Sequence, residues 1–494
     1  MISRRSFLST GLAALAGTAA WGNAPAVSLR PMARHGALAP ASEGGLEAVL
    51  RQANLPGQAA CAVADVESGA VLEAEGGQTG LPPASVAKAL TALYALDVLG
   101  GQHRFETRVL ATAPLSGGVL DGDLVLAGGG DPMLDTDGLA ELAAGLKAAG
   151  LRELRGRFLV WDGALPHVAS IDPGQPDHLG YSPAVSGIAL NFNRVHFEWR
   201  RAGSGWDITM DARTARYRPG VTAARMQVAD RAGPVYTYKQ ANGLDHWTVA
   251  DSALGRDGSR WLPVRNPGAY AGDVFRTLVQ AEGIRLPPAE AAASLPQGEV
   301  LASRLSPPLE AMLKAMLKYS NNLIAEMIGM SASAARAGRP ASLAASAAEM
   351  NRWAAARYGM ANTVMVDHSG LGGQSRMTPQ DLTGALAAAY REGQLLPLLK
   401  PYRLRDSKGR PVKSHPIKVA AKTGTLNFVS GLGGYITAPD GRVLAFAIFS
   451  ADAAARAKIK RADRERPRGG RSWSRRARNL QQELIERWGA VYGS

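Results

Sequence analysis

At 494 residues, with 46% apolar and 20% charged side chains, the chain can bury a full core and hold two or three domains. Its 56 glycines and 29 prolines follow no solenoid or collagen-like period, so they read as turn formers in a strand-rich protein. A single cysteine, Cys61, excludes an intramolecular disulfide and a multi-cysteine metal site, and the formal charge of +14 is concentrated near the end of the chain.

In chain order, Arg4 and Arg5 precede Phe7 and Leu8, and an apolar stretch from Leu12 to Ala20 follows that is too short to span a bilayer comfortably. Residues 1–26 therefore read as a twin-arginine export signal, cleaved at Ala24-Pro25-Ala26 or at Thr18-Ala19-Ala20, which sends the mature protein to the periplasm; an uncleaved anchor or a frayed terminus is the plainer alternative. Loss of Arg4 and Arg5 takes the charge from +14 to +12. Residues 27 to 43 read as a linker. Residues 58 to 74 then predict a strand, a turn at Glu67-Ser68-Gly69 and a second strand, with Cys61 as a buried, inert thiol in the run Ala59-Ala60-Cys61-Ala62-Val63. Helical spacing from Ala84 to Leu99, starting at Pro83-Ala84-Ser85, predicts a buried helix with Ser85 near its N-terminus.

From 106 to 300 the pattern changes to alternating apolar residues and turn signals, Asp121-Gly122-Asp123 and Gly128-Gly129-Gly130-Asp131-Pro132 among them, with one helical patch at Gly138 to Ala149. Helices return at Pro308 to Met330 and Ala341 to Arg357, then strands at Lys418 to Thr425 and Val443 to Phe449 and a closing helix at Asn479 to Trp488. The expected fold class is α/β (α+β): residues 27–105 and 301–494 form one discontinuous domain, interrupted by a β-rich region at 106–300 of one or two subdomains. From Arg456 to Arg478 there are 11 Lys or Arg against Asp463 and Glu465, a net +9. With no aromatic platform or known nucleic-acid module, this segment is not expected to grip nucleic acid; an exported protein would offer it to membrane or acidic wall polymer. A solvated, partly disordered loop is the favoured reading.

Three short motifs occur in order and once each: Ser85-Val86-Ala87-Lys88, Ser320-Asn321-Asn322 and Lys422-Thr423-Gly424. Each alone is weak evidence, since Ser85 could be a helix cap, Lys88 a solvated side chain, the second motif an interhelix turn and the third a strand end. Together they point to nucleophilic catalysis. On a helix, positions i and i+3 share a face, so the Lys88 amine can reach the Ser85 hydroxyl. Serine attacks only when a neighbour takes its proton, and lysine can do so only when burial or a nearby positive charge favours its neutral form. On this reading Lys88 is the base, while Lys422 supplies that charge, stays cationic and holds a substrate's terminal carboxylate. Ser320 relays a proton to the leaving amine, and Asn322 bonds the substrate's backbone amide. Thr423, Gly424 and Thr425 lie on an edge strand that an extended peptide can join, with the small glycine there for that peptide. The amides of Ser85 and Thr425 form the oxyanion hole.

At these residues the chain resembles the D-Ala-D-Ala carboxypeptidase/endopeptidase family of low-molecular-mass, class C penicillin-binding proteins. The resemblance extends to Pro82-Pro83-Ala84-Ser85, Gly128-Gly129-Gly130-Asp131-Pro132, Tyr181-Ser182-Pro183-Ala184, Asn191-Phe192-Asn193, Asp367-His368-Ser369-Gly370-Leu371 and Met377-Thr378-Pro379. It implies a transpeptidase-like domain with a long insertion between Ser85 and Ser320, peptidoglycan peptides as substrate through a Ser85 acyl-enzyme, and β-lactams as covalent inhibitors. No cofactor is implied. No metal is expected either, since the eight histidines form no ligand pair, and Gly128 to Gly130 lack the Lys-Ser/Thr of a phosphate loop. His368 is expected to be structural. The rival readings are a serine β-lactamase, for which no deacylating glutamate motif is found, and a non-catalytic wall-binding protein, which has no need of the lysine pair.

Overall fold

Strands from the two ends of the chain meet in one antiparallel sheet, in the order Lys418–Leu426, Val429–Thr437, Val443–Ala451, Gln58–Asp65 and Val71–Glu75. The structure, a computed structural model, describes residues 45–493 apart from residue 407. The expected export signal, its cleavage sites and most of the linker lie outside the described residues. Those described belong to one compact unit. Successive side chains of a strand point to opposite faces, and here both faces are covered. Leu444, Phe446 and Ile448 pack with Leu480, Leu484, Ile485 and Trp488 of the helix Gly470–Val491. The alternate residues Ala445, Ala447 and Phe449 join a second core built from the helices Ala87–Leu99, Leu309–Tyr319, Asn322–Ala337, Leu343–Tyr358 and Pro379–Arg391. That double cover explains the near-continuous apolar run from Val443 to Ala451. Cys61 lies in the sheet, and burial pushes its thiol up to about 12, which leaves it unreactive.

Strands between Glu106 and Leu305 make the remaining sheets, two of them with five and three strands around the 106–161 and 289–305 segments and two more of three strands within 194–263. They share a core from Val109 to Leu286 with the helices Thr136–Ala148 and Pro267–Ala281. The second of these helices is unexpected from the sequence, where a proline and two glycines mask its apolar face, yet Asn266 caps it and Pro267 sits at its first turn, where proline costs nothing.

Two other expectations differ from the structure. The single helix expected over Pro308 to Met330 is two, because Ser320 adopts a left-handed conformation (φ 58°, ψ 36°) and Asn321 caps the next helix by accepting from the Ile324 amide. The basic segment is not a disordered loop. It begins in the short helix Ala453–Ala457 and holds a tight turn at Arg461–Asp463 and the first two turns of the last helix, which starts at Gly470 rather than Asn479. Trp473 and Ala477 carry the order: both are buried against Phe428, and the Trp473 indole donates to the Pro56 carbonyl at 2.9 Å. Among the described residues no helix is long and apolar enough to cross a membrane.

Candidate active site

Ser85 stands in a tight turn, Ala84–Val86, that leads directly into the helix Ala87–Leu99. Ala84 before it has a positive φ of 47°, a strained conformation for a residue with a Cβ, of the kind stored at functional sites. The turn lies against the Lys418–Leu426 strand. A Cβ added to Gly424 would come within 2.5 Å of the Pro83 carbonyl and 3.0 Å of the Ser85 nitrogen. Gly424 is therefore required by the turn that bears the serine, a need the sequence did not reveal. The strand is an edge of its sheet, and residues 400–402 cover only its first half, through the bonds Ala421 N–H to Lys400 and Tyr402 N–H to Val419. Thr423, Gly424 and Thr425 remain on the open stretch, with Thr425 beside Ser85 on the cleft wall.

Lys88, one turn on from Ser85, is fully buried, and its Nζ contacts Ser85 Oγ at 2.9 Å, Asn322 Oδ1 at 2.7 Å and the Ser369 carbonyl at 2.8 Å. Two of these neighbours can only accept, while the third is a hydroxyl that can donate. A neutral amine, with two N–H bonds and one lone pair, satisfies all three if the lone pair faces the serine. Burial pulls Lys88 down to about 8, against the opposing pull of Glu326 and Asp367.

Asn322 is occupied at both ends: besides accepting from Lys88, it donates to the Tyr181 carbonyl at 2.8 Å. In the free protein it ties the base to the 106–300 region. Ser320, held by its left-handed backbone, accepts from Lys422 Nζ at 2.9 Å, and Lys422 also donates to the Thr423 carbonyl at 2.6 Å. The structure thus brings Ser85, Lys88, Ser320, Asn322 and Lys422 into one cluster. Burial, with Lys88 and Lys400 nearby, pulls Lys422 down to about 6, so its charged form is disfavoured in the free protein. Among the described residues its third bonding direction has no acceptor, and a carboxylate placed there would favour the charged form.

Sequence reading missed the buried support of this cluster. Glu326, on the same helix face as Asn322, accepts from the His368 and Ser369 amides at 2.9 Å each, and so holds the Ser369 carbonyl against Lys88. Burial, joined by Asp367, pushes Glu326 up to about 8. Asp367 accepts from Gly370 and Gly372 and fixes the same loop. The i, i+4 spacing from Asn322 is the one signal that could have found Glu326, and helical glutamates of that spacing are usually solvated. His368 is fully buried and held down to about 3, with its ring between Ser346 and Met350, which suits a neutral structural role.

Ser85 opens into a cleft of about 1220 Å³ whose other lining residues include Gln175 and Tyr181 of the middle region and much of the basic segment. The cleft exposes the Ser85 and Ser320 hydroxyls, and behind them lie the buried amines of Lys88 and Lys422.

Comparison with known proteins adds three findings. A family model described as the D-Ala-D-Ala carboxypeptidase 3 (S13) family matches residues 43–466. A D-alanyl-D-alanine carboxypeptidase of Actinomadura sp. (strain R39) is 28% identical over 444 residues, 82% of this chain and 80% of that protein. The fold is similar to the crystal structure of penicillin binding protein 4 from Haemophilus influenzae, with a TM-score of 0.72 and 22% identity over 90% of this chain and 100% of that one; the same protein complexed with a β-lactam gives 0.70, at 22% identity, over 89% and 99%.

Proposed function

The chain belongs to the D-Ala-D-Ala carboxypeptidase 3 (S13) family and is a serine-type D-Ala-D-Ala carboxypeptidase, and from that premise we propose that Ser85 is its nucleophile and Lys88 its base. The observation that carries this assignment is the set of three contacts around Lys88 Nζ, which a neutral amine facing the serine hydroxyl satisfies. The substrate is a peptidoglycan peptide ending in D-Ala-D-Ala, laid along Thr423, Gly424 and Thr425 with its terminal carboxylate at Lys422. Ser85 Oγ bonds to the penultimate D-Ala carbonyl carbon as its proton passes to Lys88. The developing oxyanion is met by the Ser85 and Thr425 amides. The C–N bond then breaks, the last D-Ala leaves with a proton relayed through Ser320, and water hydrolyses the ester to free Ser85. An endopeptidase reaction differs only in the amine that leaves, and a β-lactam enters by the same attack.

Lys422 gains its charge in this scheme as the substrate arrives, since an opposite charge in a buried site favours the ammonium. That added charge beside Lys88 in turn favours the neutral base. Lys422→Ala is expected to raise KM for D-Ala-D-Ala peptides by about 10- to 100-fold, the value of a charge-assisted hydrogen bond, with a smaller change in kcat. Steady-state kinetics on a diacylated tripeptide would check this; an effect confined to kcat would contradict the carboxylate role.

The twin-arginine pattern at Arg4 and Arg5 supports periplasmic export with a signal over 1–26. The division into a domain of residues 27–105 and 301–494 and an insertion at 106–300 is supported by the sheet that joins the two ends of the chain. The test of function is intact-mass spectrometry of the mature protein with benzylpenicillin, run beside an assay of D-Ala release. A stable adduct with D-Ala release is expected. Drug hydrolysed without an adduct would mean a β-lactamase, and drug left intact with no adduct would mean a binding protein.

A further inference from the structure

The basic segment, once ordered, is a wall of the cleft that holds Ser85. Arg456, Arg464 and Arg466 line it from the loop, and Arg471, Arg475 and Arg478 from the last helix. Spacings of four and three residues put the helical trio on one face, while Trp473, Ala477 and Leu480 anchor the other in the core.

These charges have little acidic compensation: Asp172 acts on Arg456. Arg456 and Arg464 donate to backbone carbonyls, those of Asn427 at 3.0 Å and Gly174 at 2.5 Å. Among the described residues, Arg466, Arg471, Arg475 and Arg478 make no side-chain hydrogen bond or ion pair. Glu465 is the one carboxylate among the described lining residues, and it is already taken by Arg260 at 3.0 Å and His178 at 2.9 Å. Six guanidiniums against one neutralised carboxylate, with Asp172 near Arg456, leave a net positive field in this concave site.

Direction follows from the edge strand. A peptide that joins Lys418–Leu426 antiparallel, with its terminal carboxylate at Lys422, runs its upstream residues towards Leu426 and Asn427. Arg456 and Arg464 are bonded to Asn427 itself.

We propose that this arginine wall is a subsite for free carboxylates upstream of the scissile bond, so that the enzyme selects acidic donor peptides over neutral ones. The proposal rests on the Ser85 reading, which fixes where the terminal carboxylate lies, and adds to it a second anionic specificity. Guanidinium is suited to this role because its planar fork pairs with carboxylates in two parallel bonds.

The test compares two N-acetylated pentapeptides ending in D-Ala-D-Ala, one with two glutamates upstream and the other with glutamines in their place. In wild type the acidic peptide should show a kcat/KM about tenfold or more higher in dilute buffer, with the ratio shrinking in about 0.5 M salt as the charges are screened. In R471Q/R475Q/R478Q the ratio should fall towards one. Should that triple variant not fold, Arg475→Gln alone should lower the ratio by a few fold. Fluorescence anisotropy of both peptides on Ser85→Ala reads the same preference as a ratio of Kd, independently of turnover, so hydrolysis kept by Ser85→Ala tells against the Ser85 reading and absence of the binding ratio against the wall. A ratio near one in wild type, or a ratio the triple variant keeps, overturns the proposal. So does sedimentation with phosphatidylglycerol vesicles in which the triple variant loses vesicle binding but keeps the peptide ratio, which would assign the wall to a lipid surface.

Discussion

Ser85→Ala is expected to abolish the benzylpenicillin adduct and to lower D-Ala release by at least about 10⁴-fold, the usual cost of removing an enzymic nucleophile. The fold should survive. Ser85 is only partly buried, and its side-chain hydrogen bond runs to Lys88 alone, so loss of Oγ leaves the Lys88 amine with its Asn322 and Ser369 partners. The change in stability should be under about 1 kcal/mol, as for the loss of one partly exposed hydrogen bond. Intact-mass spectrometry, D-Ala release and thermal unfolding on the same preparation check all three. Unaltered D-Ala release by a folded Ser85→Ala protein would sink the mechanism, because no other hydroxyl in the cleft has an amine base placed against it in this way; Ser320, the nearest rival, faces Lys422, which the substrate carboxylate would charge.

Much of this site was legible because its residues act locally. Ser85 and Lys88 share one helical turn, and the order of three short motifs identifies the cluster before any fold is known. The residues that stayed hidden act through tertiary contacts. Glu326 reads as an ordinary helical glutamate until the loop at Asp367 to Leu371 folds over it and presents two amides to its carboxylate. The perturbation of Lys422 stayed hidden for a related reason. Its motif reveals the amine but not the burial, or the nearness of Lys88 and Lys400, that pulls it down. For the fold, the strand pair 58–74 and the apolar run after Val443 announced themselves by pattern, whereas their pairing across the whole chain did not, since periodicity carries no information about which strands meet. The basic segment misled for the opposite reason. Its charge density suggested solvation, and two residues, Trp473 and Ala477, outweigh it by burying one face of the helix against Phe428.

Lys88→Ala is expected to slow acylation by about 10³-fold, within the range for loss of a positioned general base, and to remove a limb from the pH profile. The sign follows from which form is active. The base must be neutral, so acylation by benzylpenicillin should rise with pH through the Lys88 value of about 8 and level off above it. Glu326 and Asp367 oppose the effect of burial and keep the proton on Lys88 longer than burial alone would. Glu326→Gln removes one of these carboxylates while keeping an acceptor oxygen near the His368 and Ser369 amides, so Lys88 should lose its proton more readily and the limb should move to lower pH. A purely structural role for Glu326 would lower activity at every pH and leave the limb where it was. Lys88→Ala also leaves Asn322 Oδ1 and the Ser369 carbonyl without their shared donor in a buried site, which costs stability, so unfolding must be followed at each pH to separate the two effects. If a folded Lys88→Ala protein kept the same limb, the titrating base would have to be a different group.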